Sequence, residues 1–157
     1  VCSSDLNTYS TKAAIETLSH FAAARGGESW AFLGKMHELG ESTRDEHEEV
    51  GKFLALQEID HLIEIGNNGY IAGAKSELMG VFNPSLAWHE VAELSQALEL
   101  FKYVRPGDVV LFKASRAEKL DELSRMAREY MTSQSNSNQI DSNQIGRQIV
   151  TKDEDEA

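Results

Sequence analysis

Residues 106–116 read Pro-Gly-Asp-Val-Val-Leu-Phe-Lys-Ala-Ser-Arg. Pro106-Gly107-Asp108 is a turn, because proline presets φ and glycine takes the positive φ that closes such turns at no steric cost. Asp108 to Phe112 then runs through branched and aromatic side chains and is the clearest strand in the chain. An unbroken apolar run of this length suits a strand buried on both faces, as in a parallel sheet. Lys113-Ala114-Ser115-Arg116 is what the chain presents where that strand ends, and helical spacing resumes at Ala117.

The same alternation recurs toward the N-terminus. Ser29 to Leu33 (SWAFL) and Asp60 to Ile65 (DHLIEI) read as two further strands. Met79 to Phe82 reads as a third short strand, closed by Asn83-Pro84, where proline keeps Asn83 out of the helical region. Between the strands lie helical patterns. The first runs from Ser10 to about Arg25, with Ala14, Leu18, Phe21 and Ala22 on one face and Gly26-Gly27 as its stop. The second runs from an N-cap at Ser42 to about Gln57, with acids in its first turns. A short helix follows from Tyr70 to Glu77, after the turn Gly66-Asn67-Asn68-Gly69. The stripe Ala87, Val91, Leu94, Leu98 and Phe101 predicts a helix from about Leu86 to Tyr103. Leu120, Leu123, Ala127 and Tyr130 predict a last one over Ala117 to Met131. Parallel strands need crossovers of about this length, so the expected fold is α/β, a Rossmann-like, mostly parallel sheet with helices on both faces. The first helix precedes the first strand, which predicts that it enters from another domain.

The totals narrow the function. The chain has 157 residues, 15 basic against 26 acidic, and a net charge of −11. So acidic a surface disfavours nucleic acid and anionic lipid as partners. No apolar run reaches the ~18–20 residues of a membrane span. The single cysteine, Cys2, offers neither an internal disulfide nor a cysteine metal cluster, and a cytoplasmic setting is expected. Val1 to Leu6 resemble translated sequencing-adapter read-through and are expected to be a non-native start, so Cys2 is given no function. Residues 7–131 read as the α/β domain. Residues 132–157, rich in Ser, Asn and Gln, with Ser-Asn-Gln-Ile at 137–140 and again at 142–145, read as a disordered acidic and polar tail.

Ligands in open parallel sheets bind beyond the C-terminal ends of the strands. The loops expected there are Gly34-Lys35-Met36-His37-Glu38-Leu39-Gly40, Gly66 to Gly69, the surroundings of Asn83-Pro84, and Lys113 to Arg116. The last combines two cations, a hydroxyl and a helix N-terminus, which suits a carboxylate or phosphate. It reads equally well as a lysine paired with an acid and a serine capping the next helix. His37 and Glu38 are acid–base candidates against the commoner reading of an ordinary surface loop. His47 shares a helix face with Val50, Gly51 and Leu54. Gly51, one turn on, leaves room for close packing, so a structural histidine facing the sheet or first loop is expected. His20, His61 and His89 have no metal-ligand spacing. No phosphate-binding P-loop, dinucleotide fingerprint or nucleophile elbow is present.

Taken together, Leu33-Gly34-Lys35-Met36-His37-Glu38-Leu39-Gly40, then Glu41-Ser42, His47, Val50 and Gly51, resemble the C-terminal domain of the Mur ligases. Pro106-Gly107-Asp108, the apolar strand and Lys113-Ala114-Ser115-Arg116 match that domain's end in order and spacing. Asn7 to Ala14 look like the remainder of its Asn-Ala-Asn-Pro segment. The resemblance covers about residues 7–131 and lies nearest the branch that adds D-Ala-D-Ala. Lys35 stands where the family has aspartate, reversing the charge there, and Ala114 replaces a glycine.

The resemblance implies an ATP-dependent ligase of peptidoglycan synthesis. Its substrates are UDP-N-acetylmuramoyl-tripeptide and D-Ala-D-Ala, with ATP and Mg2+ bound mainly by a central domain that lies outside this chain. It also implies Asn7 near the nucleotide, and Lys113, Ser115 and Arg116 near the dipeptide or the reacting phosphate, with no catalytic or metal-ligating residue assigned here. Two other readings stay open: a Mur ligase with another amino-acid substrate, and a stand-alone flavodoxin-like binding or signalling module. The signalling module would need acids after the strands, where Gly34-Lys35 and Gly66-Asn67 stand.

Overall fold

Helix α1 (Thr8–Arg25) starts where Asn7, still extended at φ −130° and ψ 168°, turns the chain. The Asn7 side-chain oxygen accepts from the Ser10 N–H at 2.7 Å, and the Ser10 hydroxyl accepts from the Asn7 N–H at 3.3 Å. This reciprocal pair satisfies donors that the first helical turn otherwise leaves open. Gly26, at φ +70°, ends the helix. The buried face is Thr11, Ile15, Leu18 and Ala22, whereas Phe21 is half-exposed. The apolar face expected from the sequence is therefore rotated by about one residue, toward the bulkier Ile15.

The coordinates are a computed structural model, which describes residues 7–36, 43–113, 125–130 and 132–133. Two compact units divide the chain, Val1–Ser124 and Arg125–Ala157. In the second, residues 125–130 are helical and Arg125 pairs with Glu129 at 2.8 Å. The rest of the predicted last helix lies outside the described residues. Among those residues no helix is long and apolar enough to cross a membrane.

The first unit alternates strands and helices. After α1 come β1 (Ser29–Leu33), α2 (Thr43–Leu56), β2 (His61–Ile65), α3 (Tyr70–Glu77), β3 (Ala87–Val91), α4 (Leu94–Glu99) continued by a 3-10 turn (Leu100–Tyr103), and β4 (Val109–Lys113). The sheet order is β3-β2-β1-β4 and every pair is parallel. In register, Trp30 lies beside His61 and Val110, and His61 beside Ala87. The expected α/β architecture with four parallel strands is what the chain adopts.

On one sheet face Ala31, Leu33, Leu62 and Leu111 pack with Ile15, Leu18, Val50, Leu54, Tyr70 and Ala74 from α1, α2 and α3. Fully burying an aliphatic or aromatic side chain is worth about 1.5–3 kcal/mol, so this face carries most of the driving force. On the other face Phe32, Phe101 and Phe112 stack with ring centroids 5.0–5.3 Å apart. Helices α2 and α3 approach closely: a Cβ on Gly51 would stand 1.9 Å from the Tyr70 carbonyl oxygen, and one on Gly73 1.9 Å from that of Glu48. At the N-terminal ends of the strands, Asp60 accepts from the Ser29 N–H and hydroxyl. Asp108 accepts from the Glu28 N–H, the Trp30 indole N–H and the Arg105 N–H. Burial works to raise the Asp108 pKa, but these donors and the Arg105 charge outweigh it and lower the value.

Two sequence expectations are corrected. Met79 to Phe82 is not a strand: Gly80 turns at φ +84°, and Met79 and Phe82 are exposed at 81% and 97%. The third strand lies instead at Ala87–Val91, inside the stretch expected to be a helix from Leu86 to Tyr103. Residues four apart share a face both in a helix and in a strand, because four is a multiple of the strand period and close to the helical one. Ala87 and Val91 therefore fit either reading, and only Leu94 onward is helical.

Candidate functional site

The C-terminal ends of the strands open onto one mouth, and the N-terminus of α1 reaches it. Lys113 ends β4, is 1% exposed, and its Nζ donates to the Ser10 hydroxyl at 3.2 Å. The Gly34 N–H donates to the Lys113 carbonyl at 2.8 Å, so the first loop leaves β1 directly beside it. Asn7 and Lys113 are thus brought to the same place through Ser10, which bonds both. The Asn7 side-chain oxygen is engaged in capping α1. Thr8 donates to Glu46 at 2.6 Å and Lys12 pairs with Glu49 at 2.7 Å, tying this corner to α2. Ser115, Arg116, His37, Glu38 and the expected Ser42 cap lie outside the described residues.

The loops behind the mouth are held from below. His47 is buried on the α2 face it shares with Val50, Gly51 and Leu54. Its Nε2 accepts from the Met36 N–H at 2.9 Å while Nδ1 meets the Thr43 carbonyl. That pairing requires the neutral ring with the proton on Nδ1. Burial lowers the His47 pKa, with the Lys35 charge adding to it. Together they outweigh the Thr43 carbonyl, Glu64 and Glu46, which act the other way. The histidine is structural and faces the first loop, as its helix face suggests. Tyr70 donates its hydroxyl to the Gly34 carbonyl at 2.8 Å, and its ring meets His47 edge-on at 4.8 Å.

Glu64 is the residue that sequence reasoning missed. It is 1% exposed near the end of β2. One oxygen accepts from the Asn68 and Gly69 N–H groups at 2.6 and 2.7 Å, the other from the Ile71 N–H at 2.8 Å. Gly69 supplies no side-chain cap to α3, so a carboxylate from the strand below does so. Gly66 and Gly69 take φ +87° and +123°, as expected of that turn. A lone acid inside an apolar strand, two residues before Gly66-Asn67-Asn68-Gly69, was the available signal. Among the described residues no three His, Cys, Asp or Glu side chains gather as a metal-binding group.

A mouth built from strand ends, a helix N-terminus and a buried lysine suits an anionic group. The Mur ligase, glutamate ligase domain family matches the chain over residues 6–116. The chain belongs to the Mur ligase family. This Mur ligase domain is 36% identical over 97 residues to the UDP-N-acetylmuramoyl-tripeptide–D-alanyl-D-alanine ligase of Mycobacterium leprae, covering 61% of this chain and 19% of that protein. It is 37% identical over 101 residues to the Mycobacterium tuberculosis protein of the same name, covering 57% and 20%. The crystal structure of MurF ligase from Thermotoga maritima in complex with ADP superimposes with a TM-score of 0.63 at 24% identity, covering 84% of this chain and 28% of that one. That likeness shows the fold. The Mur ligase domain spans about a fifth of the length of the curated relatives it matches. The flavodoxin-like signalling reading falls with the family match.

Proposed function

We propose that the chain is the C-terminal domain of an ATP-dependent ligase that adds D-Ala-D-Ala to UDP-N-acetylmuramoyl-tripeptide, working in the cytoplasm. The observation that carries the reading is family membership together with relatives named for that reaction at 36–37% identity. In this reading ATP phosphorylates the tripeptide carboxylate, and the D-Ala-D-Ala amine attacks the acyl phosphate and expels phosphate. Magnesium would neutralise charge on the transferring phosphoryl group. In this reading the central domain holds it.

The domain's part is to close over the site, orient the amine and exclude water. Lys113, held at the N-terminus of α1 by Ser10, supplies positive charge toward the reacting phosphate or the dipeptide carboxylate. Ser115 and Arg116, which follow in sequence after Ala114, are assigned to the same anionic group by the resemblance of the Lys113 to Arg116 segment to the family's end. Asn7 lies near the nucleotide. In this reading residues 7–131 are the working domain.

The test replaces the C-terminal domain of the Mycobacterium tuberculosis relative with this chain and measures phosphate release against D-Ala-D-Ala. The expected result is dipeptide-dependent turnover that falls about 100-fold in kcat/KM in Lys113→Met. The 157 residues alone should release no phosphate from ATP. A chimera that folds, turns over ATP and shows no preference for D-Ala-D-Ala over single amino acids would remove the substrate assignment. Sequencing the coding DNA upstream of Asn7 gives an independent check, since the reading requires a Gly-x-x-Gly-Lys-Thr/Ser P-loop there.

A further inference from the structure

At the opposite end of the sheet, where the strands begin, lies a cavity of about 630 Å³. We infer that it is a second binding site, for a small planar aromatic molecule carrying an anionic group. The inference stands on this cavity alone and does not rest on the ligase reading.

The aromatic floor is rigid. His61 stacks on Trp30 with ring centroids 3.7 Å apart and planes 15° from parallel. The Trp30 N–H is fixed on Asp108 at 3.1 Å, and the His61 Nε2 on Glu28 at 3.0 Å. Both rings are therefore oriented before any ligand arrives; Trp30, 4% exposed, backs His61, whose more exposed ring is the one a ligand can stack on at a lower entropy cost. Tyr103 forms the wall, 57% exposed, with the Lys102 ammonium 5.1 Å from its ring centroid. The 3-10 turn covers Phe32 and leaves the Ala87 and His89 side of the same sheet face open. The volume falls within the range of small-molecule sites.

Charge selects the ligand class. The chain carries −11 overall, yet this cavity is lined by Lys102 and Arg105 together with the imidazoles of His61 and His89. Glu28 is the one acid of the lining, and it is engaged with His61. Asp108, close by, accepts from three N–H groups. An aromatic ring can stack in the cavity while its phosphate or carboxylate meets Lys102 and Arg105. A neutral aromatic would forgo the cations, and a bare phosphate would forgo the rings.

AMP serves as the probe, with adenosine and inorganic phosphate as its separate halves. The protein is the 157-residue chain with Trp88→Phe, which leaves Trp30 as the only tryptophan. AMP should quench Trp30 fluorescence saturably, with adenosine and phosphate each at least about tenfold weaker. Lys102→Glu with Arg105→Glu should weaken AMP at least about tenfold and leave adenosine unchanged. In NMR spectra of the unsubstituted chain, AMP should shift the ring protons of His61 and His89 and not those of His47, which lies behind the mouth. That measurement reads the same contact even if Trp88→Phe does not fold. No saturable response up to about 10 mM AMP overturns the inference. Equal AMP binding after the charge reversals, or shifts at His47 in place of His61, would also overturn it.

Discussion

Gly51→Ala should destabilise the domain by more than any helix-propensity argument allows. Alanine in a helix interior is favoured over glycine by about 1 kcal/mol, so an open site would gain stability. At Gly51 the new methyl would stand 1.9 Å from the Tyr70 carbonyl oxygen, 2.8 Å from its carbon and 3.0 Å from its Cα. All three are backbone atoms, and no side chain can rotate away. Relief requires α2 and α3 to separate by more than about 1 Å, which loosens the packing around Val50, Leu54, Ile71 and Ala74. Overpacking of this kind costs about 1–3 kcal/mol or more. After the propensity gain, a net loss of about 2 kcal/mol corresponds to a melting temperature lower by about 8–10 °C for a domain of this size. Thermal melts followed by circular dichroism on the 157-residue chain measure it, with Gly26→Ala as a comparator. Gly26 has nothing within 4 Å of its Cβ position and strains only the left-handed φ of +70°. Its substitution should cost about 1 kcal/mol. If Gly51→Ala melts within 2 °C of the parent chain, the two helices are not in backbone contact and the packing argument fails.

Glu64→Gln puts an amide nitrogen against a backbone N–H and removes the charge at the start of α3. The loss should be about 2 kcal/mol by urea unfolding, with faster amide exchange at Asn68, Gly69 and Ile71. Tyr70→Phe removes one hydroxyl and orphans the Gly34 carbonyl, for about 1–2 kcal/mol and amide shifts confined to the loop after β1. Because the His47 pKa is lowered on folding, the native state favours the neutral ring. Its stabilising contribution is complete above the unfolded value of 6.5 and is lost as pH falls through the lower folded value. Stability should therefore drop as pH falls below 6.5 more steeply in the parent chain than in His47→Gln, and equal slopes would refute the assignment.

The alternation of strands and helices was legible because three strands are short apolar runs bounded by turn residues. The role of His47 was legible because Gly51, one turn away, marks a close approach. Residues 79–93 were not, since the spacing of Ala87 and Val91 serves a strand and a helix equally, and an apolar run such as Met79 to Phe82 carries no mark of its exposure. Of the four loops expected beyond strand ends, those after Leu33, Ile65 and Lys113 do follow strands, whereas Asn83-Pro84 precedes β3 and lies at the other end of the sheet, because the strand expected before it is not one. The wiring of the site was not legible. Ser10 and Lys113 lie 103 residues apart, and only the parallel pairing of β1 with β4 brings the lysine to the start of α1. Glu64 resembled an ordinary strand acid, because nothing in a linear pattern shows that three N–H groups will converge on it.

The described part of the mouth is bound inward. Glu64 accepts from three backbone donors, both nitrogens of His47 are engaged, the Tyr70 hydroxyl holds Gly34, and Asn7 caps α1. The buried groups among them resist rearrangement, because each would leave a buried partner unsatisfied at about 1–3 kcal/mol. Tyr70 also links two loops: it follows the turn fixed by Glu64, and its hydroxyl fixes the loop after β1. A mouth of this construction delivers Lys113 and the N-terminus of α1 in one fixed geometry. In the proposed ligase, closure would then move the domain as a body about its connection ahead of α1, with the site assembled when the mouth meets the bound acyl phosphate.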